Sequence, residues 1–186
     1  QGQLYVDDVQ VWAQAISQSA PGSVAACGQS NYGSTTNEVP VEVDVIVTHF
    51  ADNATFRIGS TVSQTGEYWG IQNGRLWRKV PRPSPPSPPS LPGQWTFVQR
   101  FVFPRDVDAW DGDAGCCGPA HVTTCGSVGT MLGGYEVFGV NAYAERTFSG
   151  LPPHTHVRVQ FTFIRIDQCP QQRFEHPPNL MPCVAN

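Results

Sequence analysis

The sequence predicts an all-β protein, an antiparallel β-sandwich of jelly-roll-like type. Period-two alternation of apolar and polar residues recurs in several separate segments, which is the signature of half-buried strands. Gly (18) and Pro (17) are abundant and cluster between those segments, as turns between many short strands require. No segment shows the 3.6-residue period of an amphipathic helix.

The segments follow in order. "YVDDVQVWAQ" (5–14) reads as a strand around Val9 and Val11. A helix over "DDVQVWAQAISQ" (7–18) is disfavoured by its β-branched and aromatic content. "VEVDVIVTHF" (41–50) places Val41, Val43, Val45 and Val47 on one face, with Glu42, Asp44 and Thr48 on the other. "ATFRIGSTV" (54–62), "YWGIQNGRLWRKV" (68–80) and "WTFVQRFVF" (95–103) are three more strand segments. "HVRVQFTFIRID" (156–167) turns Val157, Val159, Phe161 and Phe163 inward and Arg158, Gln160 and Thr162 outward. "SQSAPGS", "GQSNYGSTTN", "HFADNA" and "SQTG" are the turns between them.

Between strand segments lies "VPRPSPPSPPSLPG" (80–93). Proline fixes φ and removes backbone donors, so this run is expected in polyproline II conformation, spanning about 35–40 Å from Pro81 to Pro92. It divides the chain into 1–79 and 94–167, with a Cys- and Pro-rich tail at 168–186. Neither flanking part holds enough strands for a covered sandwich, so one sandwich built from both is expected.

The formal net charge is -4, and no basic surface is evident to replace the counterions of nucleic acid. The short cluster Arg75, Arg78, Lys79 and Arg82 reads as a solvated face. No apolar stretch is long enough for membrane insertion as a helix. The opening "QGQLYV" carries no leader pattern, so the chain reads as a mature or internal piece of something longer. Six cysteines (Cys27, Cys116, Cys117, Cys125, Cys169 and Cys183) without CxxC spacing favour disulfides over zinc, and hence an oxidising, extracellular setting. Asn53 in "NAT" is an N-glycosylation acceptor pattern consistent with secretion.

Several motifs resemble a known family. "CGSVGTMLGGYEVFG" (125–139), "TFSGLPPH" (147–154) and "VRVQFTFIRID" resemble one half of a module repeated in large secreted and ciliary-surface proteins of ciliates and green algae. "LYVDDVQVW" (4–12), "CG" (27–28), "VEVDVIVTH" (41–49) and "YWGIQNGRLW" (68–77) resemble its other half. The halves stand in reversed order, "IDQCPQQRF" replaces the family's acidic turn, and Asp8 replaces a turn glycine. The resemblance implies either a circularly permuted module joined through 80–93, which is the preferred reading, or parts of two neighbouring modules. It also implies a Cys27–Cys125 bridge, leaving Cys116 and Cys117 to pair with Cys169 and Cys183 in either order. "SPPSPP" is similar to hydroxyproline-rich segments of volvocine cell-wall glycoproteins, which implies hydroxylation and O-glycosylation over Pro83, Ser84, Pro85, Pro86, Ser87, Pro88, Pro89 and Ser90.

Candidate chemistry is sparse. Asp106, Asp108, Asp111 and Asp113 in "RDVDAWDGDAG" offer alternating carboxylates with the oxygen chemistry of a Ca²⁺ site, against the plainer reading of a solvated acidic turn. Calcium is the only cofactor the sequence suggests. His154 and His156 have metal-compatible spacing but read better as a turn leading into a strand, and His49 as a satisfied core or edge histidine. The sequence marks no acid or nucleophile to act with His121 or His176, and Glu136, Glu145 and Glu175 show no paired pattern for glycoside hydrolysis. The glycines of 125–139 read as bends and close strand approach rather than a phosphate cradle. Trp69 and Phe148 are expected in the core, while Trp77 and Trp110 are the candidate exposed rings for sugar contact.

The expectation is a non-enzymatic, extracellular structural module of an algal or protist surface, cell-wall or ciliary-appendage glycoprotein. Its partners would be copies of itself or sister modules, and glycans. The alternative is a lectin-like carbohydrate-binding module, with or without calcium.

Overall fold

In the computed structural model, residues 1–17, 20–24, 26, 38–61, 67–81, 94–112 and 121–166 are described. They form eleven strands: β1 (Gly2–Val6), β2 (Val9–Gln14), β3 (Val39–Thr48), β4 (Ala54–Ser60), β5 (Tyr68–Lys79), β6 (Trp95–Phe101), β7 (Asp111–Gly112), β8 (Val122–Cys125), β9 (Gly129–Gly134), β10 (Tyr143–Phe148) and β11 (His156–Ile166). Short 3-10 turns occur at Val107–Ala109 and Gly126–Val128. Two antiparallel sheets pack face to face, as the alternation predicts.

One sheet runs β2-β1-β4-β10-β7. The other runs β3-β11-β5-β9-β8, with β6 also paired to β5. Both sheets therefore mix strands from before and after residues 80–93. β4 is flanked by β1 and β10, and β11 lies between β3 and β5. The flanking strands β5 and β6 are antiparallel neighbours, and the Val80 N–H bonds the Gln94 carbonyl at 3.3 Å. Residues 82–93 lie outside the described residues; the ends that hold them meet at one corner of the sheet.

The core forms between the inner faces of the two sheets, with the predicted inward residues of β11 at its centre. Val157, Val159, Phe161 and Phe163 of β11 and Trp69, Ile71 and Leu76 of β5 pack against Leu4, Val6, Phe56 and Ile58 of the opposite sheet. Trp69 stacks on Phe163 with centroids 5.5 Å apart and meets Phe138 at 4.7 Å. Beyond the predicted pattern, the outer-face residues Ile164 and Ile166 are also buried, in a second cluster with Met131 and Cys125. Met131 of β9 and Cys125 of β8 pack with these two isoleucines, which accounts for their burial.

Two strand readings are corrected. "YVDDVQVWAQ" is not one strand but a hairpin, because Asp7 and Asp8 adopt left-handed φ values of 48° and 65°. Two left-handed residues make the tight two-residue turn whose twist suits antiparallel strands, and Asp tolerates that conformation better than most residues. Within β5, Thr162 of β11 pairs with Gln72 and Gln160 pairs with Arg75, so Asn73 and Gly74 together oppose one β11 residue. This bulge, with Asn73 at φ 58°, shifts the inward phase from Ile71 to Gly74 and Leu76. The glycine-rich stretch behaves as read: a Cβ on Gly134 would lie 1.8 Å from Thr123 Oγ1.

Candidate functional site

Two constellations stand out. The first lies on the outer face of the β3-β11-β5-β6 sheet. Strand register sets a row of Ile46, Arg158, Trp77 and Phe97, and beside it a second row of Asp44, Gln160, Arg75 and Arg100. Ile46 and Phe97 are 54% and 53% exposed. Trp77 meets Phe97 edge-on at 5.9 Å, and the Arg158 guanidinium lies 5.7 Å from the Trp77 ring centre. Next to this platform opens a groove of about 450 Å³ with polar walls of Glu42, Asp44, Asn73, Arg75, Gln160 and Thr162.

The groove is ordered by its own hydrogen bonds. Arg158 donates from both Nε and Nη2 to Asp44, and Gln160 Nε2 adds a third bond to Asp44 Oδ2 at 2.7 Å. Thr162 Oγ1 donates to Glu42 Oε1 at 2.7 Å. The hydrogen bond from Arg158, more than its charge, holds the Asp44 carboxyl below its usual range. A depressed carboxyl contributes stability above its unfolded pKa and loses it as pH falls through the folded one. Asp44→Asn should therefore cost at most about 1 kcal/mol near neutrality, since both partners are partly exposed. Denaturant midpoints should show the gap between wild type and variant closing as acid titrates the carboxylates.

The second constellation joins two buried histidines to Asp7, whose side chain is 45% exposed. Asp7 Oδ2 lies 2.9 Å from His49 Nε2, His49 Nδ1 lies 2.8 Å from His154 Nε2, and His154 Nδ1 lies 2.7 Å from the Pro152 carbonyl. His49 and His154 are 7% and 3% exposed. Their rings lie within 10° of one plane with centroids 5.0 Å apart. Given the 2.8 Å contact, that separation sets the rings end to end rather than one above the other. Asp7 is held in place by its left-handed turn and by the Thr55 N–H, 2.8 Å from Oδ1.

The Pro152 carbonyl only accepts, so His154 Nδ1 donates to it. The three contacts, Asp7 to His49, His49 to His154 and His154 to Pro152, each hold one proton and form one continuous row of hydrogen bonds. No sequence signal joins these residues, which stand 42 and 105 positions apart. His154 and His156 do not act together: His156 bonds Thr155 Oγ1 at 3.0 Å.

The acidic loop is arranged for its own turn. Asp106 accepts from the Val102 N–H at 2.7 Å and from Arg105 at 3.1 Å. Burial pushes the Asp106 carboxyl up, but these bonds and the charges of Arg105 and Arg146 bring it below its usual range. Asp111 accepts its neighbour Gly112 N–H, and Asp108 sits in the 3-10 turn. Asp113 lies outside the described residues, and among those described no three acidic, His or Cys side chains gather around a metal position. Trp110 is not the exposed ring expected. It is 4% exposed, packed on Phe101 at 5.2 Å and Phe103 at 6.1 Å, because the loop folds back over the core. Trp77 is half-buried in the outer-face platform, and Trp69 and Phe148 are buried. Asn53 is exposed in the β3–β4 turn.

Cys125 is disulfide-bonded. Cys27, Cys116, Cys117, Cys169 and Cys183 lie outside the described residues, as do Pro83 to Ser90. Ala26 and Gly126, the neighbours of Cys27 and Cys125, are in contact: a Cβ on Gly126 would lie 2.9 Å from the Ala26 carbonyl oxygen. Peptide mapping without reductant is therefore expected to recover Cys27 linked to Cys125. Replacing both by Ser should cost about 2–5 kcal/mol, and recovery of Cys125 with any other cysteine would refute the pairing. Comparison of the chain with protein-family models, curated proteins and solved structures yields no match.

Proposed function

We propose that this chain is a non-catalytic, extracellular structural module of an algal or protist surface, cell-wall or ciliary-appendage glycoprotein. The observation that carries the reading is the closure of one sandwich from both flanking parts, with the ends of the proline–serine run meeting at Val80 and Gln94. Such a body presents the run as an excursion from a folded support. The bonded ends rule out the straight span of about 35–40 Å expected from Pro81 to Pro92, so in this reading the run leaves and rejoins the body at one place rather than joining distant points. The exposed Asn53 acceptor, the disulfide at Cys125 and the resemblance to secreted and ciliary-surface modules support the same setting. Neighbouring copies or sister modules are the partners in this reading.

The test is secretion from an algal host, with and without replacement of residues 81–93 by a Gly/Ser linker. The native chain is expected to carry hydroxyproline and attached sugars on tryptic peptides covering 83–90, and to sediment as a polymer or with sister modules. The linker variant should fold and sediment as the monomer. An unmodified segment, together with identical sedimentation of both proteins, would overturn the reading.

A further inference from the structure

The outer face of the β3-β11-β5-β6 sheet carries a feature that folding does not explain. Arg75 and Arg100 stand directly opposite each other on paired strands. Like charges in that position are destabilising. Neither has an ion-pair or side-chain hydrogen-bond partner among the described residues, whereas Arg158 in the neighbouring row is fully matched by Asp44. With Lys79 on the same strand, the face carries four cations against the carboxylates of Glu42 and Asp44, in a chain whose net charge is -4. The excess of positive charge is therefore local to this face.

The geometry around the two arginines narrows what would neutralise them. Trp77 and Phe97 form an aromatic shelf in the adjacent row. The β5 bulge turns Asn73 and Arg75 together into the groove, where Gln160, Thr162 and Glu42 add further donors and acceptors. Aromatic surface binds the C–H face of a pyranose ring, the amide and carboxylate groups bond hydroxyls, and unpaired guanidinium groups bond anionic oxygens in a planar fork. A hydroxyl-rich chain bearing negative charge satisfies all three at once. A nucleic acid or an anionic membrane would use the charge but leave the carboxylate-lined groove unmatched.

We propose that this face is a binding site for an anionic polysaccharide, carboxylated or sulfated, with Arg75 and Arg100 holding the anionic groups and Trp77 a sugar ring. The site is independent of the display of residues 81–93, and its loss would leave that reading standing.

The test uses the full chain of 186 residues in calorimetric titrations with polygalacturonate and dextran sulfate, with uncharged dextran, duplex DNA and phosphatidylserine vesicles as comparators. Binding to one or both acidic glycans is expected, weakening as salt screens the charges, and the preferred glycan identifies carboxylate or sulfate as the anion. Dextran should bind at least about tenfold more weakly. Arg75→Ala and Arg100→Ala should each weaken binding by about tenfold or more, the worth of a bond to a charged group. Trp77→Ala should do likewise, while Arg57→Ala on the opposite sheet leaves affinity unchanged. Arg100 is exposed, so its variant keeps the test open if Trp77→Ala perturbs folding. No binding to either acidic glycan overturns the proposal. Equal binding to DNA or vesicles together with indifference to Trp77→Ala also overturns it, since charge alone would then explain the affinity.

Discussion

Gly74→Ala is expected to be among the most damaging single substitutions in this protein, costing about 3 kcal/mol or more, at the upper end of overpacking. A Cβ at position 74 would lie 1.5 Å from Cε2 and 1.8 Å from Cζ of Phe101. The ring cannot move aside cheaply. Phe101 is buried, with Trp110 at 5.2 Å on one side and Phe148 at 6.4 Å on another. For a domain of this size the loss corresponds to a Tm lowered by roughly 6–12 °C. Thermal and denaturant unfolding of Gly74→Ala, Phe101→Leu and the double variant will check it. Phe101→Leu alone removes core contacts, but it should be partly compensating when combined with Gly74→Ala, because the two share one volume. A Gly74→Ala protein within about 0.5 kcal/mol of wild type would mean that the ring does not lie over the bulge.

The second large effect is expected at the buried histidine pair. His154→Ala leaves the buried His49 Nδ1 without its hydrogen-bond partner and removes a bond to the Pro152 carbonyl. Leaving a buried polar group unpaired costs about 1–3 kcal/mol. Asp7→Asn makes a contrasting case. The Asn amide donates to His49 Nε2, while its carbonyl still accepts the Thr55 N–H. His49 Nδ1–H then donates to His154 Nε2 and His154 Nδ1–H to Pro152, so two neutral rings satisfy every bond. Asp7→Asn should therefore stay within about 1 kcal/mol of wild type. Denaturant unfolding of both variants checks these expectations, and a His154→Ala protein within about 0.5 kcal/mol of wild type would refute the buried contact.

These two sites also show what was legible from the chain. The strand faces were: Val41 to Val47 and Val157 to Phe163 point as their alternation predicts, because side-chain direction along a strand is a local property. The closeness of glycines near 133–134 was likewise legible, from their density alone. The left-handed Asp7-Asp8 turn was hidden inside an otherwise continuous strand pattern, and the burial of Trp110 was hidden by its acidic neighbours. In both cases local composition described the segment correctly and its packing did not follow from it.

Alternation and composition dictate an all-β chain with an inner and an outer face to each main strand, interrupted by one proline–serine run. Which strands become neighbours is chosen only when the sheets pack. That choice sets β5 beside β6, so that the run begins and ends at one corner and Arg75 faces Arg100. It also brings Asp7 to His49 and His49 to His154. The physical reason is that alternation is fixed by the geometry of one strand, whereas register and sheet order depend on how whole faces pack. Those contacts join residues tens to more than a hundred positions apart, a distance over which no sequence periodicity carries information.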